Sequence, residues 1–274
     1  MPDRTDRTLP SLDTQIAKFG DLSVRISDSR EQLTKDAATI AKEYLQSLLQ
    51  QQEIVSIILA TGNSQLEFLK AIAKDNKIDW SRVILFHLDE YLGIDAEHPA
   101  SFRYYLHHKV EQQVNPRKFY YLNGNAKQPL KECDRYSNLL QQQEIDLCML
   151  GIGDNGHLAF NEPSVADFNE SQIVQLVKLE TKTRQQQVNG GYFKDLATVP
   201  NYAYTLTIPT IAKAKKIFCL AGGSHKAEVV RQTLTNAIAP NFPATVLRTL
   251  PQAVLFCDRA AYLKDNRDSF HLPE

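Results

Sequence analysis

The sequence has no charge of one sign in excess. Its 31 Lys and Arg nearly balance 32 Asp and Glu, for a net charge of −1. With no basic run to follow a phosphodiester backbone or an anionic bilayer, neither nucleic acid nor membrane is expected as a partner. Long apolar runs are missing too, and none approaches the roughly 18 residues that span a bilayer. The start, MPDRTDRTLPSLD, is polar and has no apolar stretch of the secretory kind. Its two DRT triplets read as a frayed arm, so residues 1–20 are expected to be a flexible N-terminal arm. Cysteine is scarce and scattered, without C-x-x-C pairs, and Cys148, Cys219 and Cys257 lie in apolar runs. That usage fits reduced thiols in a cytoplasmic protein, not a disulfide framework or a zinc site. His98, His107, His108, His225 and His271 have no partners at ligand spacing, so no metal is expected.

What is present is an ordinary globular balance, 43% hydrophobic and 23% charged over 274 residues. That length can bury a large core. Strand-like runs alternate with helical periodicity. Leu22 to Ile26 precedes a helix from about Arg30 to Gln51, in which Leu33, Ala37, Ile40, Ala41, Tyr44, Leu45 and Leu48 share a face. Ile54 to Ala60 is apolar throughout, as in a strand covered on both sides, and leads to a helix from Gln65 to about Lys74. Arg82 to Leu88 reads as a strand, Ser101 to Val114 as a helix, Phe119 to Leu122 as a short strand and Leu130 to Gln143 as a helix. Ser171 to Glu180 alternates like a strand, while Gln185 to Pro200, with Gly190 and Gly191, reads as a mobile loop. A short helix at Ile208 to Ala214, a strand at Lys216 to Leu220, a helix to Thr235 and a last strand at Ala253 to Cys257 follow, with Pro243 to Leu250 ambiguous. The alternation predicts an α/β fold, a mostly parallel sheet with helices on both faces. No linker-like shift in composition divides it, so residues 21–274 are expected to form a single domain.

Asp146 to Pro163, DLCMLGIGDNGHLAFNEP, stands out: an apolar strand empties into glycines and then into Asp154, Asn155, His157 and Glu162. Such groups at a strand's carboxyl end lie where open α/β sheets bind ligands. Gly156 completes a G-x-G-x-x-G spacing, but no acidic residue about twenty positions on closes a further strand as a dinucleotide site requires. A sugar or acid–base site fits better. Three more strand ends carry polar turns. Thr61, Gly62, Asn63 and Ser64 precede a helix and could cradle an anion, or Ser64 could simply cap it. Asp89 and Glu90 could pair a general base with an orienting group. Gly222 to Lys226 places a lysine at a glycine-rich helix start, as a phosphate ligand or a surface residue. Together they describe a small anionic substrate with acid–base groups at its other end.

These residues carry a family likeness. GIGDNGHLAFNEP resembles the signature of glucosamine-6-phosphate deaminases, G-[IV]-G-x-[DN]-G-H-[IL]-[AG]-F-N-[ED]-P. FHLDEYLGIDAEHPASF, LATGNSQ and GGSHKA are similar to its other three segments, in the same order, and the likeness runs from about residue 20 to 260. The related 6-phosphogluconolactonases share the G-x-G-x-[DN]-G-H core but continue differently. The resemblance implies a Rossmann-like fold and conversion of glucosamine 6-phosphate and water to fructose 6-phosphate and ammonia, with no redox or metal cofactor. It implies that His157 opens the pyranose ring, Glu162 orients that imidazole with Asn155 beside it, and Asp89 moves a proton between C2 and C1. Thr61, Gly62, Asn63, Ser64 and Lys226 would bind phosphate, and Gly151 and Ala159 would line the pocket. Family members range from monomers to hexamers, so a homo-oligomer is compatible.

Three segments depart from the family pattern. Asn155 stands where many members have Asp; Asn63 and Gln65 replace Gly or Ser and Pro. Gly190-Gly191-Tyr192-Phe193 lacks the arginine usual before two phenylalanines, with Arg184 nearby in a T-R pair. Two other expectations therefore stand beside the deaminase: a sugar-phosphate lactonase with His157 as base for water, and a sugar-phosphate-binding protein of low turnover.

Overall fold

Runs in which nearly every side chain is buried build the centre of the molecule. In chain order the strands are β1 (Gln15–Phe19), β2 (Leu22–Ser27), β3 (Val55–Leu59), β4 (Val83–His87), β5 (Asp89–Tyr91) and β6 (Lys118–Phe119). They continue with β7 (Leu147–Gly151), β8 (Val174–Lys178), β9 (Tyr202–Leu206), β10 (Ile217–Ala221) and β11 (Ala253–Asp258). β3, β4 and β10 are buried at every position. Strands with no polar face must be covered on both sides, and they hold the middle of an eight-stranded sheet ordered β1-β2-β11-β10-β7-β3-β4-β6. All its pairings are parallel except β1 with β2. The computed structural model describes residues 14–62, 64–74 and 77–262.

Helices α1 (Arg30–Gln51), α2 (Leu66–Ala73), α3 (Phe102–Leu106), α4 (Gln112–Val114), α5 (Pro129–Gln141), α6 (Thr181–Asn189), α7 (Ile208–Ala212), α8 (Ala227–Thr235) and α9 (Arg259–Tyr262) pack around this sheet. α1 shows why. Ser29 Oγ caps it by accepting from Gln32 N at 3.2 Å, and Leu33, Ala37, Ala41 and Leu45 form a buried stripe at helical spacing. Among the described residues no helix is long and apolar enough to cross a membrane. All four cysteines are unpaired and buried.

The mostly parallel α/β sheet is as expected, but several local expectations fail. The arm expected to reach residue 20 instead contributes β1, whose alternating residues pair with β2 across a turn at Gly20 and Asp21. Residues 1–13 lie outside the described residues, as does His271. Gln185 to Pro200 is not a loop throughout: α6 occupies its start, a helix of Lys, Arg and Gln that bury little but have good intrinsic propensity. Pro243–Thr249 is a 3-10 helix. Tyr202–Leu206, unassigned by sequence pattern, is β9, the middle strand of a second, antiparallel sheet ordered β5-β9-β8. Asp89, Glu90 and Tyr91 are thus a short strand, not a turn.

Asp146 shows how the central strands are fastened. It is 2% exposed, and its carboxylate accepts from Ser56 N on β3 (2.9 Å), Gln52 Nε2 at the end of α1 (2.9 Å) and Lys215 Nζ before β10 (3.0 Å). Removing it strands a buried N–H and weakens three elements together. Asp146→Ala is expected to cost about 2–4 kcal/mol in urea unfolding with unchanged slope. A loss under about 0.5 kcal/mol, as for a surface substitution, would contradict this fastening role.

Candidate active site

Topology decides where chemistry can gather. From β3 the chain moves outward to β4 and β6, then recrosses to lay down β7 and β10 on the other side of β3. The crevice outside the carboxyl ends of β3 and β7 is the switch point, where open α/β sheets hold ligands. Ser64, after β3, reaches β7: a Cβ placed on Gly151 would stand 3.2 Å from its Oγ. Neighbouring Gln65 donates from Nε2 to Leu150 O at 2.8 Å. No side chain caps α2, so Ser64 is not used as a helix cap. Gly62 turns the chain there with φ of +100°, a conformation favouring glycine. Asn63 lies outside the described residues. From the turn after β10, Lys226 donates from Nζ to Ile152 O and to Asp154 Oδ1, both at 2.8 Å.

Beyond β7 the backbone folds tightly to seat an imidazole. Gly153 N donates to His157 O at 3.0 Å, and a Cβ on Gly153 would come within 2.1 Å of the His157 ring, so only glycine fits beneath it. Ala159 takes a left-handed φ of +52°. Asn161 Nδ2 steadies that turn by donating to Leu158 O and Leu206 O, each at 2.8 Å. His157 Nδ1 lies 2.7 Å from Asn155 Oδ1. Asn155 Nδ2 is in turn near Glu162 Oε2 (3.5 Å) and Glu180 Oε2 (3.4 Å). Two carboxylates facing the amide nitrogen fix which way the amide points, so its oxygen faces the imidazole. An amide oxygen only accepts, so the proton sits on Nδ1 and Nε2 carries a lone pair. Burial, reinforced by the Lys226 ammonium, pushes the His157 pKa down to about 4. The group is therefore a neutral base of fixed tautomer.

Glu162 is fully buried and supports the arrangement indirectly: Asn155 stands between it and the imidazole. Its Oε1 accepts from Glu180 N (3.1 Å) and its Oε2 from Thr183 Oγ1 (2.9 Å). Burial raises its pKa while these donors oppose the rise.

Asp89 reaches the same edge through β9. It pairs with Thr205, whose Oγ1 accepts from Phe160 N at 3.1 Å, three residues past His157. Burial, and then the neighbouring charge of Glu90, hold the Asp89 pKa well above the usual carboxylate range. Glu90 does not orient Asp89. Its carboxylate accepts from Tyr91 N (2.9 Å), Ser101 Oγ (2.8 Å), Phe102 N (3.1 Å) and Arg103 N (2.8 Å), gathering the amides at the start of α3. Among the described residues no donor reaches the Asp89 carboxylate, so of two adjacent acids one is spent on structure and the other is left reactive.

Glu180, Thr183, Asn161 and Thr205 belong to this framework and are not singled out by the sequence. Asn161 and Thr183 sit inside recognised motifs, FNEP and T-R, which offered a signal; Glu180 and Thr205 offered none. Arg184 is committed elsewhere, its Nη2 donating to Leu196 O (2.5 Å) and Val199 O (2.9 Å), so it ties down the following loop. Among the described residues no group of three or more His, Cys, Asp or Glu side chains could hold a metal ion.

Known proteins share both the sequence pattern and the fold. The profile of the glucosamine-6-phosphate isomerases/6-phosphogluconolactonase family matches residues 28–255. The chain is 34% identical over 246 residues to the glucosamine-6-phosphate deaminase of Thermoanaerobacter pseudethanolicus, covering 88% of this chain and 94% of that one. It is 38% identical over 200 residues to that of Lysinibacillus sphaericus, covering 73% and 88%. Among solved structures it resembles a monomeric glucosamine-6-phosphate deaminase with a TM-score of 0.79 at 30% identity, over 87% of this chain and 98% of that one. The 6-phosphogluconolactonase of Thermotoga maritima shares the fold at a TM-score of 0.71 and 16% identity, over 86% and 99%. Carrying that profile across most of its length, and the imidazole, amide and carboxylates at its switch point, the chain belongs to the glucosamine-6-phosphate isomerase/6-phosphogluconolactonase family.

Proposed function

We propose that this protein converts glucosamine 6-phosphate and water to fructose 6-phosphate and ammonia. One observation carries the choice: Asp89, a buried carboxylate with no donor of its own, stands at the same edge as a neutral imidazole whose free lone pair is on Nε2. Opening the pyranose breaks the C1–O5 bond, and His157 Nε2 takes the proton from the C1 hydroxyl and returns it to O5. Asp89 then removes the proton from C2; that bonding pair becomes the C1–C2 double bond as the C1 carbonyl π pair moves onto O1, which takes a proton from water to give an enolamine, and Asp89 returns its proton to C1. Water adds to the resulting C2 iminium and ammonia leaves. The C2 proton is only weakly acidic, so the base has to be pre-positioned and desolvated. Thr61, Gly62, Asn63, Ser64 and Lys226 hold the phosphate, and Gly151 and Ala159 supply backbone along the sugar. The unpaired, buried thiols are consistent with work in the cytoplasm.

A second reading, a sugar-phosphate-binding protein of low turnover, is favoured by Arg184 being tied to loop carbonyls and by the uncharged Asn155 beside the imidazole. Ammonia release from glucosamine 6-phosphate separates the two: turnover is expected, and tight binding without ammonia would select the second. Asp89→Asn is expected to lower kcat by about 10²- to 10⁴-fold. A variant that kept its rate would point instead to lactone hydrolysis, which involves no carbon acid. Asn155→Leu, which keeps the volume but loses the acceptor, is expected to lower kcat/KM by about 10²-fold. Asn155→Asp, which still accepts from Nδ1, should retain most of the activity. Equal rates for the wild type and Asn155→Leu would remove the amide from the account.

A further inference from the structure

Two turns far apart in sequence meet at one ammonium. Lys226, just before α8, donates from Nζ to Ile152 O and to Asp154 Oδ1, both at 2.8 Å. Ile152 follows Gly151, on which Ser64 closes from the turn after β3, so the ammonium stands at the same crevice. The two acceptors differ in kind. Ile152 O is backbone, fixed by the course of the chain beyond β7. Asp154 is a side chain on a turn, 48% exposed, whereas the Lys226 side chain is only 13% exposed. Among the described residues no other donor reaches the Asp154 carboxylate, so the ammonium alone holds it.

Each acceptor does a separate job. The Ile152 carbonyl positions the ammonium but cannot neutralise it. A cation so largely covered is destabilising without a counter-charge, and Asp154 supplies one while the site is empty. The same carboxylate stands against a ligand. Of the three ammonium N–H groups, one goes to Ile152 O and one to Asp154, so an arriving phosphate meets a single free donor with a like charge beside it. Once Asp154 turns outward, two donors and an uncompensated charge face the phosphate, and the carbonyl still holds the ammonium in place. Half-exposed on its turn, Asp154 is rehydrated as it leaves, so the exchange costs little.

We propose that Asp154 sets the affinity of this site for phosphorylated ligands by acting as an internal competitor, which occupies Lys226 in the empty site and is displaced by the phosphate. The inference rests on the reading that Lys226 takes the substrate's phosphate. Asp154 touches neither the sugar nor the reacting atoms; it acts through the ammonium. Its carboxylate stands in for the phosphate between turnovers, trading affinity for a cation that is never left uncompensated.

Calorimetric titration of the intact protein with glucose 6-phosphate tests it, because that ligand carries the phosphate and has no amine to release. Asp154→Asn, isosteric and neutral, is expected to bind it about three- to tenfold more tightly than the wild type. Asp154→Glu, which keeps a carboxylate, should stay within about twofold of the wild type. Lys226→Met should weaken binding by about tenfold or more, and in that background Asp154→Asn should change the affinity by less than about twofold. Unchanged or weaker binding by Asp154→Asn would overturn the proposal, weaker binding meaning that the carboxylate aligns the ammonium for the ligand. A gain of equal size in the Lys226→Met background would also overturn it, since the carboxylate would then act through space and not on the ammonium. So would an equal gain in Asp154→Glu, which would trace the effect to the shape of aspartate and not to its charge. If Lys226→Met binds like the wild type, the placement of the phosphate on Lys226 fails and takes this inference with it. If Lys226→Met loses affinity while Asp154→Asn gains none, the phosphate placement stands and this inference alone fails.

Discussion

The orientation of one side-chain amide governs the chemistry of this protein. Asn155 presents nitrogen to the Glu162 and Glu180 carboxylates and oxygen to His157 Nδ1. Rotating the amide by half a turn would set its N–H groups against an imidazole proton and its oxygen against two acids. The carboxylates thus determine, at second hand, which imidazole nitrogen is free. A carboxylate at position 155 would achieve the same tautomer and also stabilise an imidazolium. The amide fixes the tautomer without adding charge, which keeps His157 a base.

The fold spends much of its buried polarity on that constraint. Glu162 tolerates full burial because a backbone N–H from Glu180, just before α6, and the hydroxyl of Thr183, in the first turn of α6, satisfy it. β9 links β5, which carries Asp89, to the loop after His157 through Thr205 and Leu206. The small antiparallel sheet is therefore what couples Asp89 to the imidazole, while the large parallel sheet provides the crevice. Asp89 and Glu90 illustrate how environment assigns roles to identical chemistry. Four donors spend one carboxylate on a helix start, and the absence of donors among the described residues leaves the other with a pKa raised by burial.

The central strands and α1 could be read from the chain because their patterns are unambiguous: Val55–Leu59 is apolar throughout, and the stripe from Leu33 to Leu45 repeats at helical spacing. The four strand ends that carry polar residues were legible for the same reason, since a parallel sheet brings its carboxyl ends to one edge. What escaped depends on partners remote in sequence. β9 mixes tyrosine and threonine with apolar residues and becomes a strand by pairing with β5 and β8. The capping role of Glu90 needs the amides of Phe102 and Arg103, more than ten residues on. Arg184 looks like an anion ligand until its guanidinium is found on the carbonyls of Leu196 and Val199. No local periodicity encodes contacts of that kind.

A neutral His157 with its proton on Nδ1 is the claim on which the rest of the chemistry depends. Histidine-selective nitrogen NMR across a pH titration reads both the charge and the tautomer. The account predicts that from about pH 8 to about pH 5 the His157 ring stays neutral and protonated on Nδ1, although an unperturbed imidazole would change charge in that window. The imidazolium should appear only as the pH nears about 4. A midpoint at the ordinary histidine value, or a proton found on Nε2, would contradict it.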